Sequence, residues 1–173
     1  MSNPIHISLD AMGGDHAPDV IIKGASEAKV RFPNLKFTFF GDKNYIAPLI
    51  KPLLNIKNSN IIHTDEKVNP NEKPSIAVRK GINTSMYMAI QYVKSGKADA
   101  VVSAGNTGAL MAMSKIILRP IEGISRPAIA AYFPTMTGES CMLDLGANIE
   151  CDSKNLVQFA FMGQAFARIV MGI

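Results

Sequence analysis

Along this chain, apolar positions with a two-residue period alternate with apolar positions at helical spacing. "IHISLD" (5–10) puts Ile5, Ile7 and Leu9 on one face and predicts a strand. "DVIIKGASEAKVRF" (19–32) spaces Val20, Ile21, Ala25, Ala28 and Phe32 as a helix, opened by Pro18 and Asp19 and stopped by Pro33. "LKFTFFG" (35–41) predicts a second, aromatic-rich strand. "NYIAPLIKPLLN" (44–55) reads as a helix kept short or kinked by Pro48 and Pro52, and "NIIHT" (60–64) as a brief third strand. The polar, proline-bearing stretch 65–74 predicts a loop, and helical spacing returns over 75–94 with a break near Gly81.

The second half repeats the scheme. "ADAVVSA" (98–104) is almost continuously apolar, the pattern of a strand buried on both faces of a parallel sheet, and "GNTGALMAMSKIIL" turns from it directly into a helix. "PAIAAYFP" and "CMLDLG" predict two further strands, and "SKNLVQFAFMGQAFARIV" a final helix buried against other structure. This alternation predicts an α/β fold, a mostly parallel sheet with helices on both faces, with no internal repeat and no linker. The last helix runs to Ile173 with no stop signal, so the sheet looks unfinished and the expected cover is a missing half or a second subunit.

Composition narrows the class. The 173 residues are 47% hydrophobic and 18% charged, globular and long enough for a real core. The net charge of +4 is scattered, with no Lys/Arg block and no Trp, so nucleic acid is not the expected partner. Such a mildly basic surface also suits an acidic protein or a phosphorylated ligand. Cys141 and Cys151 form no disulfide scaffold, "MSNPIHISLD" lacks the regions of a signal peptide, and charged or amide residues break every long apolar run. A cytoplasmic location with reduced thiols is expected. His6, His16 and His63 show no metal-ligand spacing, and no metal is expected.

Candidate chemistry sits at strand ends, where open α/β sheets bind ligands. Three loops there couple glycine to polar side chains: "DAMGGDHAP" (10–18), "SAGNTGAL" (103–110) and "DLGANIECD" (144–152). In the second, Ser103, Asn106 and Thr107 offer side-chain donors while Gly105 and Gly108 free the backbone at a helix start. That arrangement suits phosphate or an oxyanion; it equally suits an ordinary turn with Asn or Thr as helix cap. In the first loop, Asp10 and Asp15 orient groups at the sheet mouth, with Gly13 and Gly14 permitting close approach, or else simply cap the next helix. Arg79 and Lys80, ahead of Thr84 and Ser85, form either a phosphate contact or a solvated helix face; Arg126 is equally ambiguous. Neither the dinucleotide fingerprint nor the P-loop is present.

Taken in order, "DAMGGDHAP", "VSAGNTGALMA", "GISRPAIA" with "FPT", and "LDLGAN" with "FAFMG" resemble the PlsX family of phosphate acyltransferases, from about Leu9 to Gly163. The resemblance implies a fold similar to phosphotransacetylases and isopropylmalate dehydrogenases. It implies a reaction of inorganic phosphate with a long-chain acyl carrier protein thioester, giving acyl phosphate for bacterial phospholipid synthesis. It also implies no cofactor, homodimers, and peripheral association with the inner face of the plasma membrane. On this reading Asp10, Asp15, Ser103, Asn106 and Thr107 serve catalysis, while Gly13, Gly14, Arg79, Lys80, Ser85, Gly105, Gly108 and Asn148 bind substrate. The family tends to carry Ser-Ser-Met where this chain has "NTSM", so Thr84 keeps the hydroxyl. Family members are longer, and residues 1–173 are expected to be the N-terminal portion of a single α/β acyltransferase domain whose C-terminal remainder is absent. The rivals are an inactive fragment that binds only carrier protein or a partner chain, and a decarboxylating dehydrogenase of related fold. The dehydrogenase would want a metal-binding aspartate cluster and an adenine segment, and neither is found.

Overall fold

The computed structural model describes residues 4–148 and 150–172, the side chain of Lys80 excepted. The chain divides into two compact units, Met1–Leu118 and Arg119–Ile173.

The first unit is built on four strands: β1 (His6–Asp10), β2 (Lys36–Gly41), β3 (Asn60–His63) and β4 (Ala100–Val102). They form one parallel sheet in the order β3-β2-β1-β4, with Leu9 opposite Phe39 on one side and Val102 on the other. The chain builds outward from β1 to β3 and then returns to lay β4 on the opposite side of β1. That reversal leaves a crevice between β1 and β4 at the carboxyl ends of the strands.

Period-two alternation sorts the side chains between two layers. Leu9, Phe37 and Phe39 pack with Ile22 and Ala25 of α1 (Asp19–Arg31) and Ile46 and Ile50 of α2 (Lys43–Ile50). Pro48 lies inside α2, which ends two residues later, in line with the short helix the sequence predicts. The opposite sheet face faces α4 (Ser85–Lys94), whose Met86 and Ile90 join a second core. Ala77 of α3 (Pro74–Lys80), Ala109 and Met113 of α5 (Thr107–Leu118), and Val68 of the intervening loop complete it. The predicted break near Gly81 therefore separates two real helices. A Cβ at Gly81 would sit 2.3 Å from the Ala77 carbonyl oxygen, so the chain turns where nothing larger fits.

Polar residues on that second face are buried and satisfied rather than solvated. Ser8, Thr38 and Asp10 are buried; Ser8 Oγ donates to the Ala89 carbonyl at 2.8 Å, and His6 Nε2 pairs with Thr38 Oγ1 at 2.9 Å. One expectation needs correction. The 98–104 run is not a strand buried on both faces, because β4 holds only three residues at the end of the strand order, with Ala100 and Val102 exposed.

The second unit holds β5 (Ala131–Thr135), β6 (Gly138–Met142) and α6 (Ser153–Phe166), which continues into a π-helical turn at Ala167–Met171. The two strands the sequence predicts here are not parallel members of the main sheet. They pair antiparallel with each other, because only Met136 and Thr137 separate them and so short a connection can only fold back. Asp152 caps α6 reciprocally with Asn155. Asn155 and Gln158, held by Ser125, are buried together with Phe159, whereas Leu156, Val157 and Phe161 are exposed. The expected wholly buried helix is thus anchored through amides, because the amide face is the one that finds partners in this unit. Among the described residues, no helix is long and apolar enough to cross a membrane.

Gly24 lies on the exposed side of α1, and a Cβ there meets nothing within 4 Å. Gly24→Ala should raise stability by about 0.5–1 kcal/mol, read as a shifted urea midpoint at unchanged slope. An unchanged or lowered midpoint would mean that α1 is not helical through this position.

Candidate active site

A cavity of about 430 Å³ opens where the loop after β1 meets the loop after β4. Met12, Gly14 and Asp15 come from the first loop, Ala104, Gly105, Asn106, Thr107 and Gly108 from the second, and Lys67, Val68 and Pro70 from the segment after β3. The sequence-predicted residues Gly14, Asp15, Gly105, Asn106, Thr107 and Gly108 thus share one cavity wall.

Directly behind the wall lies a buried carboxylate. Asp10 is 1% exposed and accepts from Ser85 Oγ at 2.6 Å on one oxygen and from Ser103 Oγ at 2.6 Å on the other. Ser103 Oγ in turn accepts from the Gly105 N–H at 3.1 Å. Strand periodicity aims Asp10 at α4, and the break at Gly81 starts that helix so that Ser85, in its first turn, reaches back. One carboxylate therefore ties together the loop after β1, the start of α4 and the loop after β4. Gly13 is required here, since a Cβ on it would stand 2.4 Å from Asp10 Oδ2 and 2.8 Å from Ser103 Oγ.

Asn106 is wholly engaged with protein. Its Oδ1 accepts from the Ala109 N–H at 2.9 Å, an N-cap of α5, and its Nδ2 donates to the carbonyls of Pro70 at 2.8 Å and Glu72 at 2.9 Å. The side chain spans from helix start to the 69–72 segment. Among the described residues the N–H groups of Thr107 and Gly108 have no acceptor, so the first turn of α5 presents two free donors at the cavity. The helix dipole adds partial positive charge at the same place.

The other predicted residues lie elsewhere. Arg79 is exposed on α3 and is not part of the cavity wall; the side chain of Lys80 lies outside the described residues. Asn148 belongs to the second unit, where its Nδ2 donates to the Pro127 carbonyl and to Asp144 Oδ2, each at 3.0 Å. Arg126, in the same unit, donates to the Glu150 carbonyl at 3.0 Å. The sequence reading missed Lys67, Val68 and Pro70. Their signal was positional: the polar stretch follows a parallel strand and so belongs to the same sheet end as the glycine loops.

Asp144 ties the stretch at Pro127–Ile129 to the loop at Asp144–Asn148. Burial pushes its pKa up, but hydrogen bonds from the Ile129 N–H, the Asn148 side chain and the N–H groups of Asn148 and Ala147 together hold it below its ordinary value of 3.8. A carboxyl lowered on folding contributes stability above its unfolded pKa and loses it as pH falls through the folded value. The second unit should therefore weaken on acidification below the ordinary carboxylate range, while Asp144→Asn should be less stable at neutral pH and flatter in that window. Parallel acid profiles of wild type and variant in unfolding titrations would exclude this role.

A parallel α/β sheet whose glycine-bearing loops converge at its switch point, with free backbone donors at a helix start, defines an enzyme-type ligand site in an α/β protein. The family described as fatty acid synthesis protein matches residues 5–173, and the chain belongs to it, the family of the PlsX phosphate acyltransferases. Among curated relatives, the phosphate acyltransferase of Rhodospirillum centenum is 55% identical over 175 residues, covering 100% of this chain and 49% of that protein. Those of Rhodospirillum rubrum and Paramagnetospirillum magneticum are 52% and 50% identical, each over 174 residues, covering 100% of this chain and 50% of those proteins. The chain spans about half the length of the curated relatives it matches.

Proposed function

We propose that this chain carries the phosphate-binding part of a phosphate acyltransferase that forms acyl phosphate from a long-chain acyl carrier protein thioester and inorganic phosphate, a step toward bacterial phospholipids. The observation that carries this reading is the pair of N–H groups of Thr107 and Gly108, without an acceptor among the described residues, at the head of a twelve-residue helix lining the cavity. Family membership and the names of the relatives support the chemistry.

In this reading a phosphate oxygen, nucleophilic without activation, attacks the thioester carbonyl carbon. The C–O bond forms, the carbonyl pair moves to oxygen, and on its return the C–S bond breaks, releasing a thiolate that takes a proton from the medium or from the phosphate. No acyl-enzyme is needed. The site's task is positioning and charge stabilisation, which together account for most of such an acceleration. The Thr107 and Gly108 donors hold phosphate oxygens or the developing oxyanion. Asp15, on the same wall, would repel bare phosphate but accepts from the P–OH of hydrogen phosphate. Asp10, with both oxygens occupied, is a positioning residue: it fixes Ser103 and through it the Gly105 backbone. Asn106 likewise positions the helix start rather than contacting substrate. Acyl carrier protein and inorganic phosphate are the partners in this reading. A homodimer in the cytoplasm, peripheral to the membrane, accompanies it through the family resemblance.

The test is acyl phosphate formation from acyl carrier protein thioester and phosphate, trapped with hydroxylamine, in wild type, Thr107→Val and Thr107→Pro. Proline suits the first helical position while deleting one N–H. Phosphate-dependent product, largely kept in Thr107→Val and lost by at least tenfold in Thr107→Pro, is expected. Equal rates in all three would remove the helix start from the reaction. No product from folded wild type would limit this chain to binding.

A further inference from the structure

We propose that Lys67 is the charge-recognition residue of this cavity, the side chain that selects a doubly charged phosphate over less charged oxyanions. Among the described residues, Lys67 is the one cation in the cavity wall, and no carboxylate lies within 4.0 Å of its ammonium. Its backbone is held on both sides. On one side, Thr64 Oγ1 donates to the Asn83 carbonyl at 2.6 Å and the Glu66 carbonyl accepts from the Ser85 N–H at 3.0 Å. On the other, Val68 is buried in the second core, and the Asn106 amide grips the carbonyls of Pro70 and Glu72.

These tethers give the segment its purpose. A polar, proline-bearing connection after β3 has no need of these four anchor points to reach α3. The anchors fix the point from which one exposed lysine lines the same cavity as Thr107 and Gly108. Two of them are made by residues of the site itself: Ser85, whose hydroxyl also holds Asp10, and Asn106, which caps α5. Lysine placement therefore depends on the same two residues that set the donor geometry, Ser85 through its backbone N–H and Asn106 through its amide. Backbone donors and the helix dipole supply only partial positive charge; an unpaired ammonium beside them adds a full one and steepens the dependence on the charge of the oxyanion. The inference rests on reading the cavity as an anion site.

Inorganic phosphate is titrated into wild type, Lys67→Gln and Lys67→Arg, with binding read from phosphorus resonance broadening at two ionic strengths. The transfer assay then gives KM for phosphate and for thioester separately. Lys67→Gln should weaken phosphate binding about tenfold and flatten its salt dependence, Lys67→Arg should retain most of it, and KM for thioester should hold steady. Equal phosphate affinity in wild type and Lys67→Gln overturns the inference, as does a change confined to the thioester. Lysine-dependent phosphate binding without any turnover would support it while the acyltransferase reading fails. Turnover with KM for phosphate unmoved in Lys67→Gln would do the reverse.

Discussion

Asp10→Ala is expected to lower the stability of the first unit by about 3 kcal/mol and to abolish phosphate-dependent turnover. The carboxylate is buried and receives two short hydroxyl hydrogen bonds from different parts of the chain. Removing it deprives the buried Ser85 hydroxyl and the half-buried Ser103 hydroxyl of their acceptor, and each such loss costs up to about 1–3 kcal/mol, most at Ser85. Asp10→Asn should recover part of the loss. Its amide oxygen can still accept from Ser85, but its NH₂ meets a Ser103 oxygen that already accepts from Gly105, which strands the Ser103 proton. Thermal unfolding should show a drop of about 10 °C for the alanine variant and less for asparagine. In a background already carrying Ser85→Ala and Ser103→Ala, Asp10→Ala should cost markedly less, because the partners it would orphan are gone. A loss below about 1 kcal/mol in the wild-type background would show that the carboxylate does not join the three segments.

Gly13→Ala should be severely damaging for a single added methyl. The added carbon would stand 2.4 Å from Asp10 Oδ2, 2.8 Å from Ser103 Oγ and 3.0 Å from Asp10 Cγ. None of these atoms is the loose end of a surface side chain, since the carboxylate is pinned by two hydroxyls. Either the loop after β1 moves out into the cavity or the Asp10–Ser103 bond breaks. We expect a loss of about 2–3 kcal/mol in stability and on the order of 100-fold in turnover, because an ångström of displacement at a preorganised site costs about that much. The double variant Gly13→Ala with Ser103→Ala should regain part of the stability and little of the activity. Full activity in Gly13→Ala would mean that the loop after β1 lies away from the reacting groups. The contrast with Gly24, where the same methyl meets open space and should stabilise, makes the pair a direct check on the packing around the cavity.

The two compact halves differ in how their sequence could be read. In the first unit, long periodic segments with capping and stop signals gave helices and strands near their predicted limits: Pro33 ends α1, and Pro48 and Pro52 confine α2. In the second, two apolar runs were read as further parallel strands because each alone has strand character. The two-residue connection at Met136 and Thr137 overrode that, since it is far too short for the crossover a parallel pair needs. The site was legible in the glycine loops and illegible in the lysine. Glycine beside polar residues at a strand end is a local signal, whereas the approach of Lys67 to the cavity depends on Asn106 reaching the 69–72 segment from a helix more than thirty positions away.

By itself, the sequence determined the alternation of strand and helix, the parallel class of the sheet, and the family through its ordered loops. These follow from periodicity and local punctuation, which act within a few residues. The tertiary structure alone decided that the polar side of β1 is buried, that Asp10 is a clasp and not an exposed acid, and that Asn106 is consumed as a cap and tether while, among the described residues, plain backbone donors remain free. The physical reason is partnership. Whether a polar group is solvated, paired or left open depends on which distant group arrives opposite it, and Ser85 lies 75 positions and Ser103 93 positions from the carboxylate they hold.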